Sequence, residues 1–137
     1  MEKRGFTPDE ANALLPQLKE DLLQLQELTK RFEEQYSDLQ KRKALHKQAA
    51  APAGGAQDPF FEREGRLEFL KMEAEMLIEN FTRKGVLLKM INPGLIDFPA
   101  VLDGEEVLIC WKEGEPRASH YHGWHNGFAG RKPLPGE

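Results

Sequence analysis

The sequence has 137 residues, of which 39% are hydrophobic and 31% are charged, and its net charge is −4. This length suffices for one domain with a modest core, and the composition favours a helical, partly elongated protein. No apolar run approaches the roughly 18 residues that a membrane span needs, and the first ten residues lack an apolar signal-peptide core. Neither a membrane nor secretion is therefore expected, and the predicted location is the cytoplasm. Basic residues are dispersed among acidic ones, which argues against nucleic acid as a partner.

The chain contains a single cysteine, Cys110. This count excludes an intramolecular disulfide and any zinc site built from several cysteines. Because Cys110 lies in the apolar run VLICW, we interpret it as a small core residue.

The N-terminus carries a helix start signal. Thr7 is suited to the N-cap, Pro8 to the first helical position, and Glu10 completes a Thr-x-x-Glu capping box. Pro16 is expected to end this first helix, because proline removes a backbone donor and collides with the preceding turn. The pattern predicts a short helix over residues 7–15.

Two longer helices are predicted after this short one. Apolar residues spaced three and four apart, typical of a coiled coil, predict a helix over 16–48. The stretch 49–58, rich in alanine, glycine and proline, is a linker. A second helix is expected over 59–84, with Gly85 beyond its end. The positions that define the two apolar stripes are Leu18, Leu22, Leu25, Thr29, Phe32, Tyr36 and Leu39 in the first helix, and Phe60, Leu67, Leu70, Ala74, Leu77 and Phe81 in the second.

An antiparallel pair of such helices would leave apolar flanks in water. At about 25 cal/mol per Å² of apolar surface, exposing several large side chains forfeits several kcal/mol. Either the C-terminal part of the chain covers these flanks or a second copy does. We therefore predict a homodimer through the helices, on the basis of Leu15, Leu28, Phe61, Met72 and Met76.

The rest of the chain, 86–122, predicts a small antiparallel sheet of two to four short strands, followed by a C-terminal loop over 123–137. A hairpin is expected around Asp103-Gly104, since this dipeptide favours a tight turn. In that register one face is apolar, which should pack on the helices. The facing pairs are Leu102 with Glu105, Ala100 with Val107, Phe98 with Ile109, and Ile96 with Trp111. The predicted class is α+β.

Asp97 is the exceptional residue of the hairpin, a carboxylate between Ile96 and Phe98. A buried carboxylate needs partners. Two interpretations of Asp97 are open. Its carboxylate accepts hydrogen bonds from backbone amides of the NPGLID turn, or it belongs to a functional site.

Three of the four histidines lie within six residues, in His-Tyr-His-Gly-Trp-His. On a strand, His120 and His122 would point the same way, close enough to share a metal ion, with His125 and Glu115 as further candidate ligands. Such a set suits zinc, iron or manganese. The spacing matches no known metal motif, so a hydrogen-bonded surface strand is the alternative. Arg131 is a candidate partner for a carboxylate or an anionic ligand.

Three blocks of the sequence, FTPDEANALLPQL, GLIDFPAVLDGEEVLICWKEGE and GFAGRKPL, together resemble a bacterial and archaeal family called domain of unknown function 2203. The resemblance covers nearly the whole chain except the helical tip and the linker, and it implies no particular activity. His120 and His125 depart from the family's pattern, which weakens a site of three histidines. The resemblance implies instead a shared site made of Asp97, Glu115, His122 and Arg131.

Two functions of different classes follow from these features. The first is an interaction or scaffold module that dimerises through its helices and carries a small polar site on the sheet. The alternative is a protein that binds a divalent metal or a small anion, extending to a metal-dependent hydrolase, through His122, Glu115, Asp97 and Arg131. No motif identifies a substrate or a reaction, so the sequence leaves open whether the protein is an enzyme.

Overall fold

A computed structural model of the chain describes residues 5–48 and 58–136 and shows an α+β fold. Two helices, α1 (Pro8–Gln48) and α2 (Phe61–Arg83), precede one antiparallel sheet. The α+β class is confirmed, but the sheet has five strands where two to four were predicted. In chain order the strands are β1 (Leu87–Met90), β2 (Leu95–Leu102), β3 (Glu105–Lys112), β4 (His120–Gly123) and β5 (Lys132–Pro133).

The start of α1 is closed by the predicted capping box. The Thr7 amide donates to Glu10 Oε1 at 2.9 Å, and the Glu10 amide donates to Thr7 Oγ1 at 3.1 Å. Both amides would otherwise lack a partner in the first helical turn. Just before the helix, the Phe6 amide donates to Pro99 O at 2.7 Å, and the Phe6 ring meets Phe98 edge to face at 5.4 Å. The helix start is thereby attached to the sheet.

The predicted break at Pro16 is wrong, because α1 runs through this residue as a single helix. Pro16 is exposed, so water can reach the carbonyl that loses its amide partner. On either side of it, Leu15 and Leu18 are buried in the core. Asn12 holds the same turn to the rest of the fold: its side-chain amide donates to Ala118 O at 3.1 Å, and its Oδ1 accepts from Ala118 N at 2.8 Å. Tertiary contacts on both sides of the proline keep the helix continuous.

The second helix begins at Phe61, two residues later than predicted, because the Asp58 carboxylate closes a turn in front of it. It ends at Arg83, and Gly85 follows with φ of +85°, a left-handed conformation that suits glycine after a helix. The predicted end near Gly85 is confirmed. The predicted linker, 49–58, lies outside the described residues except for Asp58.

The two helices run alongside each other in opposite directions. Lys84, just after α2, is paired with the buried carboxylate of Asp21 in the first part of α1. Towards the other end, Lys43 Nζ lies 2.7 Å from Glu64 Oε2. Removing Lys84 would leave a buried charge unpaired, so the first pair constrains how the helices meet. Among the described residues, neither helix has the length and apolarity needed to cross a membrane.

The sheet has the order β1-β2-β3-β4-β5, with every neighbouring pair antiparallel. The predicted β2–β3 register is confirmed at all four facing pairs. Its turn has positive φ at both central residues, 50° at Asp103 and 79° at Gly104, which matches the twist of the flanking strands.

One face of the sheet packs on the helices, as predicted. We call the opposite face, which points away from the helices, the outer face. The core consists mainly of Ile96, Phe98, Ala100, Val107, Ile109 and Trp111 from the sheet, with Leu15, Leu18, Leu22 and Leu25 from α1 and Phe81 from α2.

The C-terminal segment is more ordered than the predicted loop over 123–137. It contains a 3₁₀ turn, Phe128–Gly130, and the short strand β5, which pairs with β4. The Leu134 amide donates to Ser119 O at 2.8 Å, and the Leu134 side chain is buried in the core. These contacts attach the end of the chain to the edge of the sheet beside β4.

Candidate metal centre

Three neighbouring strands bring Asp97, Cys110 and His122 together on the outer face of the sheet. Asp97 on β2 is paired directly with Cys110 on β3, while His122 on β4 is paired with Leu108, two residues before Cys110. Because alternate residues of a strand share a face, these three side chains emerge on the same side. Their exposed fractions are 2%, 0% and 6%. The sheet register thus assembles a buried polar cluster.

The three side chains can each offer one ligand atom to a metal ion. These atoms all lie within 4.8 Å of one another. In a tetrahedral zinc site, ligand atoms stand roughly 3.3 to 3.8 Å apart. The 3.3 Å between His122 Nε2 and Asp97 Oδ2 already lies in this range, and the Cys110 sulfur lies within 4.8 Å of both atoms.

The imidazole of His122 is oriented by the backbone. His122 Nδ1 lies 2.9 Å from Gly123 O, and because a carbonyl can only accept, Nδ1 carries the hydrogen. In the neutral ring, Nε2 then presents its lone pair to the Asp97 carboxylate. Metal-binding histidines commonly donate their other ring N–H to a carbonyl in this way. The arrangement supplies a ligand atom, and Nε2 and the Asp97 carboxylate can be joined either by a hydrogen or by a metal ion.

Asp97 has a second unusual feature. Its Oδ1 atom is buried and has no hydrogen-bond partner. A buried carboxylate oxygen without a donor costs about 1 to 3 kcal/mol or more. This outcome differs from one of the two sequence interpretations, in which Asp97 accepts backbone amides of the preceding turn. The unpartnered oxygen calls for a hydrogen-bond donor or a positive group.

Cys110 is a neutral thiol in this environment. Burial raises the pKa of the thiol to about 12, and the nearby Asp97 carboxylate adds to the increase, whereas the Arg131 guanidinium acts in the opposite direction. A free thiol with so high a pKa is a poor nucleophile. A coordinated metal ion removes the thiol proton outright. Nucleophilic attack by Cys110 is therefore disfavoured, whereas coordination of a metal ion, which displaces the thiol proton, is open to it.

Glu115 and Arg131 form a bidentate ion pair next to this cluster. Arg131 Nη1 donates to Glu115 Oε1 at 3.1 Å, and Nη2 lies against Oε2. The Lys112 amide also donates to Glu115 Oε1, at 2.8 Å. Burial by itself would raise the pKa of Glu115, but Arg131 and the Lys112 amide outweigh it and lower the pKa. Since Arg131 is engaged by Glu115, it is not free to bind a separate anion.

Arg131 forms a cover over the cluster. Its guanidinium stacks on the Phe128 ring at 4.1 Å, and it interacts with Cys110 as well as with Glu115. The Arg131 side chain is 17% exposed and the three candidate ligands are at most 6% exposed, so this part of the outer face has little access to solvent. The C-terminal segment thus closes the outer face above the three candidate ligands.

The structure separates the remaining predicted ligands from this cluster. His120 is half-buried on the outer face, with Nδ1 3.1 Å from Ser119 Oγ, and His125 is exposed in the turn after β4. Glu115 is paired with Arg131. Within the described ranges, the one group of three or more candidate metal ligands contains His122 but none of these three residues.

Sequence reasoning interpreted Cys110 as a buried residue, which the structure confirms, but did not include it among the candidate ligands. A usable signal was present, because the predicted hairpin register already places Cys110 opposite Asp97. What was not visible is that His122 reaches the same position from β4, since the connection between β3 and β4 has no turn motif that sets its register.

The comparisons with known proteins identify a family. No curated protein and no solved structure matches the chain. The family described as "Uncharacterized conserved protein (DUF2203)" matches residues 4–134, nearly the whole chain. The chain therefore belongs to the DUF2203 family.

Proposed function

We propose that this protein binds one divalent transition-metal ion through Asp97, Cys110 and His122. The observation that carries the proposal is the grouping of one oxygen, one sulfur and one nitrogen ligand atom within 4.8 Å of each other in a buried site. The orientation of His122 and the unpartnered oxygen of Asp97 support it, because an ion between the three side chains would accept the Nε2 lone pair and neutralise the carboxylate.

The ligand types favour zinc. Magnesium and calcium take oxygen ligands and do not select a thiolate or an imidazole. Zinc accepts thiolate, imidazole and carboxylate together, and three protein ligands with one further position is an arrangement that zinc adopts in proteins. The charges also balance, because the carboxylate and the thiolate together neutralise a divalent ion. A neutral group of this kind can be buried at far lower cost than an isolated carboxylate.

Three protein ligands leave a fourth position on a zinc ion, which in hydrolases holds the reacting water. Here the ligands are at most 6% exposed, and the ion pair of Arg131 and Glu115 lies above them. A substrate would have to displace this cover to reach the ion. We therefore propose metal binding and do not assign a hydrolytic reaction, although hydrolysis was the sequence-based extension of this function.

The proposal is tested by elemental analysis of the purified protein and of single-residue variants. Zinc or another first-row metal is expected at one ion per chain in the wild type. His122→Ala should abolish binding, whereas His120→Ala and His125→Ala should retain it, because these two histidines lie outside the cluster. Cobalt substitution adds a spectroscopic readout, since a thiolate ligand produces a charge-transfer band that Cys110→Ser would remove.

Two results would contradict metal binding. One is a wild type that stays metal-free after addition of zinc, cobalt and iron. The other is metal bound with equal affinity by the wild type and by His122→Ala. In either case the buried pair of Asp97 and His122 would be a structural contact only.

A second candidate function is the interaction module that assembles as a homodimer through its helices. It is favoured by a specific observation on α2, where several large apolar side chains remain exposed. Monomeric soluble proteins seldom expose contiguous apolar patches of several hundred Å² without a partner. Light scattering of the wild type at micromolar concentration distinguishes the expected dimer mass from that of a monomer.

A further inference from the structure

The second helix carries apolar side chains on two opposite faces. One face packs on α1 and includes Leu67, Leu70 and Phe81, all buried. A helix with a 3.6-residue period places a second line of residues on the far side. That line, which we call the outer stripe, consists of Phe61, Phe69, Met72 and Met76, with exposed fractions of 74%, 63%, 57% and 65%.

The sheet covers only part of the apolar helix surface that the sequence predicts to need a partner. Leu15 on α1 is buried at 3% exposure, and Leu28 is half-buried. Neither the sheet nor α1 covers the outer stripe, which points away from α1. Among the residues that the structure describes, nothing shields these four side chains from water.

We propose that the outer stripe is the surface on which α2 of a second copy of this chain packs, in the antiparallel direction. This inference rests on the second candidate function and names the surface and geometry that would perform it. At about 200 Å² for a fully exposed Phe or Met side chain, the four fractions correspond to about 500 Å² per copy. Two copies would bury about 1,000 Å² before flanking polar side chains are counted, which reaches the lower limit of a specific interface.

Gly65 supports a helix as the occupant of this surface. It lies on the outer stripe between Phe61 and Phe69, inside α2, where glycine lowers helix stability relative to alanine. A Cβ at Gly65 would meet no atom of the chain within 4 Å. The absence of a side chain is therefore not explained by packing within the described residues, whereas a close approach by a partner would explain it.

The position of Gly65 also selects the antiparallel direction. A two-fold axis between Phe69 and Met72 brings each Phe69 against the partner's Met72. The same axis places Gly65 against the partner's Met76, so that a large side chain meets a gap. In a parallel pair, Gly65 would face the partner's Gly65 and leave the gap empty, which a close-packed interface disfavours.

The charged residues that flank the outer stripe provide a test of direction. In the antiparallel pair, Arg66 lies near the partner's Glu73, and Glu68 lies near the partner's Glu75. The first contact attracts and the second repels. In a parallel pair Glu75 would instead lie near the partner's Asn80. Glu75→Lys would therefore convert repulsion into attraction at two symmetric positions of the antiparallel pair only.

The experiment measures the molar mass by light scattering and the dimer dissociation constant by analytical ultracentrifugation. We expect the wild type to be a dimer at micromolar concentration and Met72→Glu to be a monomer with an unchanged circular dichroism spectrum. Leu23→Glu, an equivalent change at a 62% exposed leucine of α1, is the matched control and should remain dimeric. Glu75→Lys should tighten the dimer by about tenfold.

Each deviation overturns a different statement. A monomeric wild type would overturn the second candidate function together with this inference, and would assign the outer stripe to a different partner. A dimeric wild type with an equally dimeric Met72→Glu variant would overturn the surface and leave the dimer. A Glu75→Lys variant no tighter than the wild type would overturn the antiparallel direction.

Discussion

Asp97 and Cys110 lie directly opposite each other across the β2–β3 pairing, with both side chains buried on the outer face of the sheet. A shift of this register by one residue would place the two side chains on opposite faces of the sheet. The hairpin that builds the core therefore also determines where two of the three candidate metal ligands meet. His122 completes the group from β4.

Replacing Asp97 should separate metal binding from stability. Without metal, Asp97→Ala removes the carboxylate that faces His122 Nε2 at 3.3 Å, and we expect a loss of about 1 to 3 kcal/mol in the free energy of unfolding. Asp97→Asn can donate an amide hydrogen to the same lone pair, so its loss should stay below about 1 kcal/mol. Urea unfolding in the presence of a chelator measures both values.

The same pair of variants has a second readout. Both should lose affinity for zinc, because an amide oxygen is a weaker zinc ligand than a carboxylate. If Asp97→Asn were as unstable as Asp97→Ala in the metal-free state, the negative charge and not the hydrogen bond would be what holds His122.

Removing the cover should speed exchange of the bound ion. Arg131 is paired with Glu115, stacks on Phe128 and lies close enough to Cys110 to lower the pKa of its thiol. Hydrogen bonds to charged groups contribute about 1.5 to 3 kcal/mol, so their loss in Arg131→Ala should accelerate metal release roughly 10- to 100-fold. Stopped-flow transfer of cobalt to a chelator measures the rate. Lys132→Ala, an exposed neighbour, is the control, and equal rates in the two variants would show that release does not involve Arg131.

The ion pair of Glu115 and Arg131 should make stability depend on acid pH. The pKa of Glu115 is below its usual value of 4.5 in the folded protein. Its contribution is therefore complete above about pH 4.5 and is lost as the pH falls through the lowered value. The difference in unfolding free energy between the wild type and Glu115→Gln should shrink as the pH falls below about 4.5. A difference that stays constant down to acid pH would contradict the assigned role of this pair.

Gly94 is required for close packing of the sheet against α1. A Cβ at this position would overlap a terminal methyl of Leu22, and because Leu22 is 1% exposed its side chain would have to shift within the packed core. Gly94→Ala should therefore cost about 1 to 3 kcal/mol in thermal or urea unfolding. Gly127→Ala is the control, because a Cβ there meets nothing and φ is −90°. Equal stability of the two variants would mean that Leu22 repacks without cost.

Local signals account for the parts of the fold that were predicted correctly. Thr7 and Glu10 satisfy backbone amides within one helical turn, and Asp103-Gly104 sets a hairpin register through two residues. Each depends on contacts between residues close in sequence, which are the same in any tertiary context. Pro16 is the counterexample, because the local rule predicts a break while buried residues on both sides keep the helix intact.

The amino-acid sequence by itself determined the helix start, the hairpin register, the apolar face of the sheet and the set of polar residues from which a site could be made. Only the tertiary structure decided that Cys110 joins Asp97 and His122 while Glu115 pairs with Arg131. The reason is physical: these side chains come from separate strands and turns, and their distances depend on strand order and on the fold of the C-terminal segment. Neither quantity is encoded in the spacing of residues along one strand.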